Sequence, residues 1–197
     1  MNNFEKNLIQ TQDSTKNQNE KLDLRIELAQ PDDWEECKKI RLASLSGEEA
    51  GMLTENLPKI LKHEMERGEK EWREEISGVD TFVVISRNGL EVIGIGRARK
   101  MEKEGENVWR LYNGYVLPEF QGKHIGRKIF GLRLKEVASR GGEKITTNVR
   151  VGNSKSLNIM NYFGCKKIDQ DADWDLMELD LTDPGLIQKI NLALDER

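Results

Sequence analysis

One segment of this chain constrains its fold more than any other, a connection between an apolar stretch and an amphipathic stretch. Residues 108–116 predict a strand, and residues 127–138 predict an amphipathic helix. The connection contains Gly122, Gly126 and several cations, and it has no acid after Glu119. Backbone N–H groups at the start of a helix favour an anion, and glycine lets the backbone approach it closely. The sequence therefore predicts a strand–loop–helix unit that binds a phosphate group.

Five positions in and before this connection form a defined pattern. Val116 and Pro118 make a V-x-P element, and Gln121 and Gly126 stand at the spacing Q-x-x-x-x-G. The segment resembles the signature of the GNAT superfamily of N-acetyltransferases, which is V-x-P followed after a short gap by Q/R-x-x-G-x-G/A. His124 stands where the family has the first of these glycines.

A second pattern lies downstream, at the spacing expected for the same family. Asn153, Ser156 and Gly164 match three positions of the family's N-x-x-[AS]-x-x-x-Y-x-x-x-G-F helix. Met160 stands where the family usually has Tyr, and Cys165 stands where it usually has Phe. Two motifs in the right order make the resemblance specific, since neither alone would be.

The resemblance extends over residues 24–181 and implies an α/β sandwich around a central mixed, mostly antiparallel sheet. Hydrophobic periodicity and turn residues predict the same element order, β-α-α-β-β-β-α-β-α-β-β. The predicted strands are 24–28, 81–86, 91–99, 107–116, 144–151, 166–169 and 176–181, and the predicted helices are 31–44, 57–76 with a break at Gly68, 127–138 and 154–162. We divide the chain into a disordered tail at 1–21, an acetyltransferase domain at 22–182 and a C-terminal helix at 183–197.

The resemblance implies acetyl-coenzyme A as co-substrate, with its pyrophosphate on the loop and its pantetheine arm in a gap between two strands. A β-bulge near Gly114 fits such a gap, although that glycine could also merely relieve crowding. The backbone N–H of Val116 is the candidate for polarising the acetyl carbonyl. The predicted cofactor-binding residues, through backbone amides from Gln121 to Lys128 in the loop, are Tyr115, Val116, Leu117, Pro118, Gln121, Gly122, Lys123, His124, Ile125, Gly126, Arg127, Lys128, Asn153 and Ser156.

The general acid and base of the family have no clear counterparts. The family's two alternative carboxylate positions are Arg110 and Asn148 here, and its usual phenol position is Met160. Tyr115 and Tyr162 are the nearest phenols in sequence and weak candidates, and core packing is the favoured role of Tyr162. Transfer without a dedicated acid is chemically reasonable, because a thiolate that leaves into water needs little help.

Composition narrows the remaining possibilities. A net charge of −4 over 197 residues argues against nucleic acid and favours a cationic amine acceptor, small molecule or peptide. No apolar run is long enough for a membrane span or a signal peptide, and two cysteines give no disulfide framework, so we expect a cytoplasmic monomer or homodimer. We expect no metal, because histidines and cysteines do not cluster and the acidic segment 169–175 lacks the glycine of a calcium loop. That segment is either an acidic rim of the acceptor site or a solvated turn.

The sequence thus predicts an N-acetyltransferase that moves an acetyl group from acetyl-coenzyme A to a primary amine by direct attack. Two alternatives stay open. Because the usual acid and base are missing, the chain could be a non-catalytic module that binds or senses acyl-coenzyme A. It could also use another acyl-coenzyme A, since the sequence does not define the acyl pocket.

Overall fold

A computed structural model describes residues 22–47, 50, 56–102 and 107–196. The predicted disordered tail at 1–21 lies outside these residues. The strands are β1 Leu24–Leu28, β2 Thr81–Asn88, β3 Glu91–Lys100, β4 Val108–Val116, β5 Lys144–Arg150, β6 Lys166–Gln170 and β7 Trp174–Asp180. The helices are α1 Trp34–Ser46, α2 Leu57–Glu66, α3 Glu69–Ser77, α4 Ile125–Ser139, α5 Ser154–Phe163 and α6 Pro184–Asp195, with 3₁₀ turns at Pro31–Asp33 and Pro118–Phe120.

The seven strands form one sheet in the order β1-β2-β3-β4-β5-β7-β6. Every neighbouring pair is antiparallel except β4 with β5, which is parallel. The predicted fold class, a mixed and mostly antiparallel α/β sheet, is confirmed. The helical zone at 57–76 is broken next to Gly68 as predicted, and the first helix is preceded by a 3₁₀ turn at its predicted start.

Alternation along the strands builds a core on each face of the sheet. Phe82 and Val84 of β2 point into a cluster with α4, α5 and α6, whereas Val83 and Ile85 point into a cluster with α1 and α3. The larger cluster includes Met160, which is 6% exposed. The sheet therefore has an α4 face and an α1 face, and these names are used below.

Two irregularities in β4 shape the centre of the sheet. β4 pairs with β5 at only three positions, and the last is Arg110 with Thr146. On its other side, the register against β3 shifts between Ile95 and Arg97, because β4 carries one extra residue there. This is the β-bulge predicted near Gly114, and its left-handed residue is Asn113 at φ 53°.

Both cysteines, Cys37 and Cys165, are buried and free. Burial raises the pKa of Cys37 and that of Cys165 to about 12, so neither is a thiolate near neutral pH. Across residues 22–47, 50, 56–102 and 107–196, no helix has the length and apolarity needed to cross a membrane. The same residues contain no group of three or more His, Cys, Asp or Glu arranged to hold a metal ion.

Candidate active site

The connection from β4 to α4 presents a run of unused backbone donors. The N–H of Gln121 donates to Pro118 O at 3.2 Å, and the N–H of Lys128 donates to His124 O at 3.1 Å. Between them, the six N–H groups of residues 122–127 make no hydrogen bond to another described residue. The predicted set of loop amides is therefore too wide at both ends, because the Gln121 and Lys128 amides are engaged within the protein. The remaining six form an anion cradle at the start of a 15-residue helix.

Left-handed backbone at two loop positions shapes this cradle. Gly122 has φ +78°, and His124 has φ +59° as the residue that precedes α4. His124 thus keeps the backbone conformation that glycine favours, and its side chain is 56% exposed. The side chain of His124, at the first glycine position of the motif, therefore points into solvent and does not cover the loop backbone.

The loop is tied to both neighbouring elements through the side chain of Gln121. Its Nε2 donates to Val116 O at 3.0 Å, and its Oε1 accepts from Lys155 Nζ at 2.8 Å. These bonds connect the end of β4 to the first turn of α5. The same turn is capped by Asn153, whose Oδ1 accepts from the N–H of Ser156 at 3.0 Å, as an N-cap residue should. The side chain of Asn153 therefore already has a structural role.

The basic side chains at the start of α4 contact the C-terminal end of α6 and the residue that follows it. Arg127 Nη1 lies 2.7 Å from Glu196 Oε1, and His124 Nδ1 lies 3.9 Å from Glu196 Oε2. Lys128 Nζ donates to the carbonyl oxygens of Leu194 and Glu196. A carboxylate thus sits beside the anion cradle. Sequence reasoning missed Glu196, since only the packing of α6 against α4 brings it there.

A gap opens where β4 and β5 separate beyond Arg110. The N–H of Leu117 donates to Ile93 O of β3 at 2.9 Å. Because successive N–H groups of a strand point in opposite directions, the N–H of Val116 points away from β3 and towards this gap. On that side β4 has no ladder partner beyond Arg110, so the described sheet supplies no acceptor for it. An extended ligand with carbonyl groups could therefore pair with the free edge of β4.

The bulge beside this gap is supported from the α4 face by a buried arginine. Arg133 Nη1 lies 3.4 Å from both Arg97 O and Tyr112 O, the carbonyls of the cross-strand pair at which the irregularity ends. A Cβ at Gly114 would lie 3.3 Å from Arg133 Nη2, and one at Gly96 would lie 2.8 Å from its Nε. Burial lowers the pKa of Arg133 to about 10. Gly114 therefore both marks the bulge and makes room for this guanidinium.

The expected acid position has no proton donor, and the nearest phenol of α5 faces another helix. Met160 is buried, and its Sδ lies 3.9 Å from Cys165 Sγ. Tyr162 packs edge-on against Phe163 with 4.9 Å between ring centroids, as predicted, and its hydroxyl lies 3.5 Å from Lys189 O of α6. The phenol of Tyr162 is thereby directed to α6.

The α1 face holds a buried ionic cluster that sequence reasoning missed. Arg97 donates to Glu75 from Nε at 2.7 Å and to Glu64 from Nη1 at 2.9 Å, and Tyr112 Oη donates to Glu75 at 2.8 Å. Burial alone would raise the pKa of Glu75, but the hydrogen bonds and charge of Arg97, the charge of Arg67 and the Tyr112 hydroxyl lower it to about 2. Glu75 is therefore a permanent anion and a poor general base near neutrality.

Beyond this cluster, the described part of the α1 face leaves the middle of β5 exposed. Arg110 and Asn148, at the family's two carboxylate positions, lie on adjacent strands, and Asn148 is exposed. Tyr115 is half-buried and packs against the cluster beneath α1 and α3. In the acidic segment 169–175, Asp171 Oδ1 accepts backbone N–H groups of the β6–β7 turn, and Asp173 lies 3.8 Å from the Arg150 guanidinium. These acids stabilise the turn, and a role towards an acceptor stays a prediction.

Comparison with known proteins decides the family. A sequence profile described as the acetyltransferase (GNAT) family matches residues 48–164, more than half of the chain. The chain belongs to this family. The GNAT profile lies within the span of the resemblance, 24–181, and covers both the loop and the α5 motif. A search of curated proteins found no match to this GNAT protein.

Solved structures share the fold of this GNAT protein at low sequence identity. PaiA N-acetyltransferase from Thermoplasma acidophilum in complex with coenzyme A superposes with a TM-score of 0.67 at 19% identity, covering 80% of this chain and 98% of that one. YncA from Salmonella typhimurium with acetyl-coenzyme A gives 0.61 at 18% identity, covering 81% and 95%. The ribosomal-protein-S18-alanine N-acetyltransferase from Escherichia coli gives 0.58 at 14% identity, covering 80% and 94%.

Proposed function

We propose that this GNAT protein transfers an acetyl group from acetyl-coenzyme A to a primary amine by direct attack on the thioester. The observation that carries the proposal is the alignment of two sets of unused backbone donors. Six N–H groups at residues 122–127 face an anion site, and the N–H of Val116 points towards the β4–β5 gap next to it. A pyrophosphate followed by an extended arm with amide groups matches both sets in order.

Each part of the chain has a defined task in this reaction. The loop amides would bind the pyrophosphate, and the free edge of β4 would align the pantetheine arm. The N–H of Val116 would stabilise negative charge as it develops on the acetyl oxygen. The bulge interrupts the regular hydrogen-bond ladder between β3 and β4, and the side chain of Arg133 contacts the carbonyl groups beside it. Binding, orientation and one oxyanion donor are thus the contributions of the protein.

Proton transfer would proceed without a dedicated side chain. Met160, Arg110 and Asn148 leave the expected positions without an acid or base, and the phenol of Tyr162 is directed to α6. We propose that the amine enters neutral, or that its proton passes to water or to an acid of the β6–β7 turn. Cytoplasmic location fits the two free cysteines, which a reducing compartment would keep as thiols.

The absence of an acid and a base from the expected positions favours one rival function. A GNAT fold without acid or base could bind or sense acyl-coenzyme A and transfer nothing. Calorimetry with coenzyme A and release of free thiol across a panel of amines separate the two. Acetyl transfer predicts binding and amine-dependent thiol release. Binding without release from acetyl-, succinyl- or longer acyl-coenzyme A would establish the sensing module, and release only from a longer or charged acyl group would reassign the donor.

A further inference from the structure

We infer that the acceptor of this site carries an anionic group, a carboxylate or a phosphate, which binds between Arg99 of β3 and Arg110 of β4. The inference rests on the proposed acetyl transfer and specifies the class of its acceptor. It starts from three arginines that share the α1 face of two neighbouring strands, Arg97, Arg99 and Arg110.

Within the described residues, Arg97 alone of these three arginines is neutralised. Arg97 is 3% exposed and bonded to two carboxylates. Arg99 and Arg110 form no ion pair and no side-chain hydrogen bond with any residue in the described part of the chain. The Nε of Arg110 is shielded from solvent and has no hydrogen-bond partner there. A shielded donor without a partner is unfavourable unless a ligand supplies the acceptor.

The arrangement of the two free arginines adds to this cost. Arg99 and Arg110 are direct cross-strand partners, so their side chains leave the sheet on the same face. Like charges directly opposite each other in a sheet repel. An anion between them would relieve the repulsion and could accept charge-assisted hydrogen bonds from both guanidinium groups.

The position of the pair fits an acceptor and not the acetyl donor. Arg110 is the last residue of β4 that pairs with β5, so it marks the closed end of the gap. Its partner on β5 is Thr146, and the next residue of β5 on that face is the exposed Asn148. These side chains are neutral hydrogen-bonding groups. An amine that reaches into the gap from the α1 face would therefore pass beside Arg110.

Two nearby acids in the described part of the chain already have cationic partners. Glu178, which faces Thr146 from β7, lies 3.5 Å from the Lys144 ammonium. Asp173 is close to the Arg150 guanidinium. The net charge of −4 for the whole chain favoured a cationic acceptor, but screening over about 8–10 Å leaves the local charges in control. Those local charges favour an anion beside the reacting amine.

Matched amines test the inference through turnover. L-glutamate is compared with L-glutamine, and O-phosphoethanolamine with ethanolamine and spermidine, by thiol release from acetyl-coenzyme A. We expect the anionic member of a pair to be favoured by about tenfold or more in kcat/KM, as a charged bidentate contact implies. Arg110→Gln should remove most of that preference by raising KM for the anionic member more than for the neutral member. Arg25→Gln, an exposed arginine on the edge strand β1, is the control. Equal or better use of the neutral or cationic members, or an unchanged preference in R110Q, would overturn the inference.

A binding measurement keeps the inference separate from the proposed transfer. Inorganic phosphate is titrated into the coenzyme A-saturated protein, with arginine Nε signals followed by NMR and assigned with R110Q and R99Q. We expect saturable shifts at Arg99 and Arg110 and none at Arg25. If no amine turns over but phosphate shifts both signals, acetyl transfer fails while the anion site stands. If phosphate shifts neither, the anion site is refuted whatever the turnover.

Discussion

Replacing Glu75 with Gln would remove the central anion of the ionic cluster on the α1 face. The carboxylate accepts hydrogen bonds from Arg97, Arg67 and Tyr112, and it is 6% exposed. Removing one partner from a buried ion pair costs about 3–5 kcal/mol, because the remaining charge stays buried. Glu74→Gln is the matched control, since Glu74 is exposed, adjacent and only 3.9 Å from Lys70 in a surface pair. The control should cost less than about 1 kcal/mol.

The pH dependence gives a second, independent magnitude for Glu75. Its pKa falls from an ordinary 4.5 to about 2 in the fold. A depressed folded pKa contributes stability above the unfolded pKa, and this stability is lost as the pH falls through 4.5 towards 2. The full contribution is about 3 kcal/mol, of which about 2 kcal/mol is gone at pH 3. Glu75→Gln should lack this part of the acid dependence.

Urea unfolding between pH 7 and pH 3 measures both effects. Between pH 7 and pH 3 the free energy of unfolding of wild type should fall by the roughly 2 kcal/mol that Glu75 contributes. The free energy of unfolding of E75Q should be lower at pH 7 and should fall less over the same range. A variant within about 1 kcal/mol of wild type at pH 7, or one with an unchanged pH slope, would refute the reasoning. If E75Q does not fold, Tyr112→Phe serves instead. It removes one hydrogen bond to the carboxylate, so it should cost about 1.5–3 kcal/mol and shift the acid loss to higher pH.

Three further predictions concern the cofactor site. Gly126→Val adds a Cβ that would lie 3.2 Å from Ile159 Cδ1 and crowds the anion cradle, so coenzyme A binding should be lost in calorimetry. His124→Gly should retain or tighten coenzyme A binding. Asn153→Ala removes the cap of α5 and should cost about 1 kcal/mol together with coenzyme A affinity; lost affinity at an unchanged melting temperature would refute the capping role. Glu196→Gln removes the carboxylate beside the cradle and should tighten coenzyme A binding roughly fivefold, for about 1 kcal/mol of repulsion relieved, and unchanged or weaker binding would show that this carboxylate does not oppose the pyrophosphate.

The parts of this site that local sequence determines were predictable. The loop glycines, the bulge near Gly114 and the cap at Asn153 each follow from what one residue type does to its own backbone. The break beside Gly68 belongs to the same class. Such features need no knowledge of distant partners.

The features that distant residues create were not predictable from one sequence. Glu75 meets Arg97 and Tyr112 only because α3 packs on β3 and β4, and charge patterns along the chain look the same for a solvated helix face. Glu196 reaches Arg127 across 69 positions. The acceptor's charge was inferred from the whole-chain sum, which says nothing about which cations stay unpaired. Pairing of charges is a property of packing, so only the structure identifies Arg99 and Arg110.

The pH–rate profile of thiol release, measured with two reactive amines of very different pKa, tests the central claim most directly. A site with backbone donors but no tuned acid or base should give rates that climb with pH up to each amine's own pKa. In the Met160→Tyr variant the rate at each pH should stay the same or rise. A bell-shaped profile around neutrality that is the same for both amines would contradict the account, because it would require an acid and a base on the protein at this site.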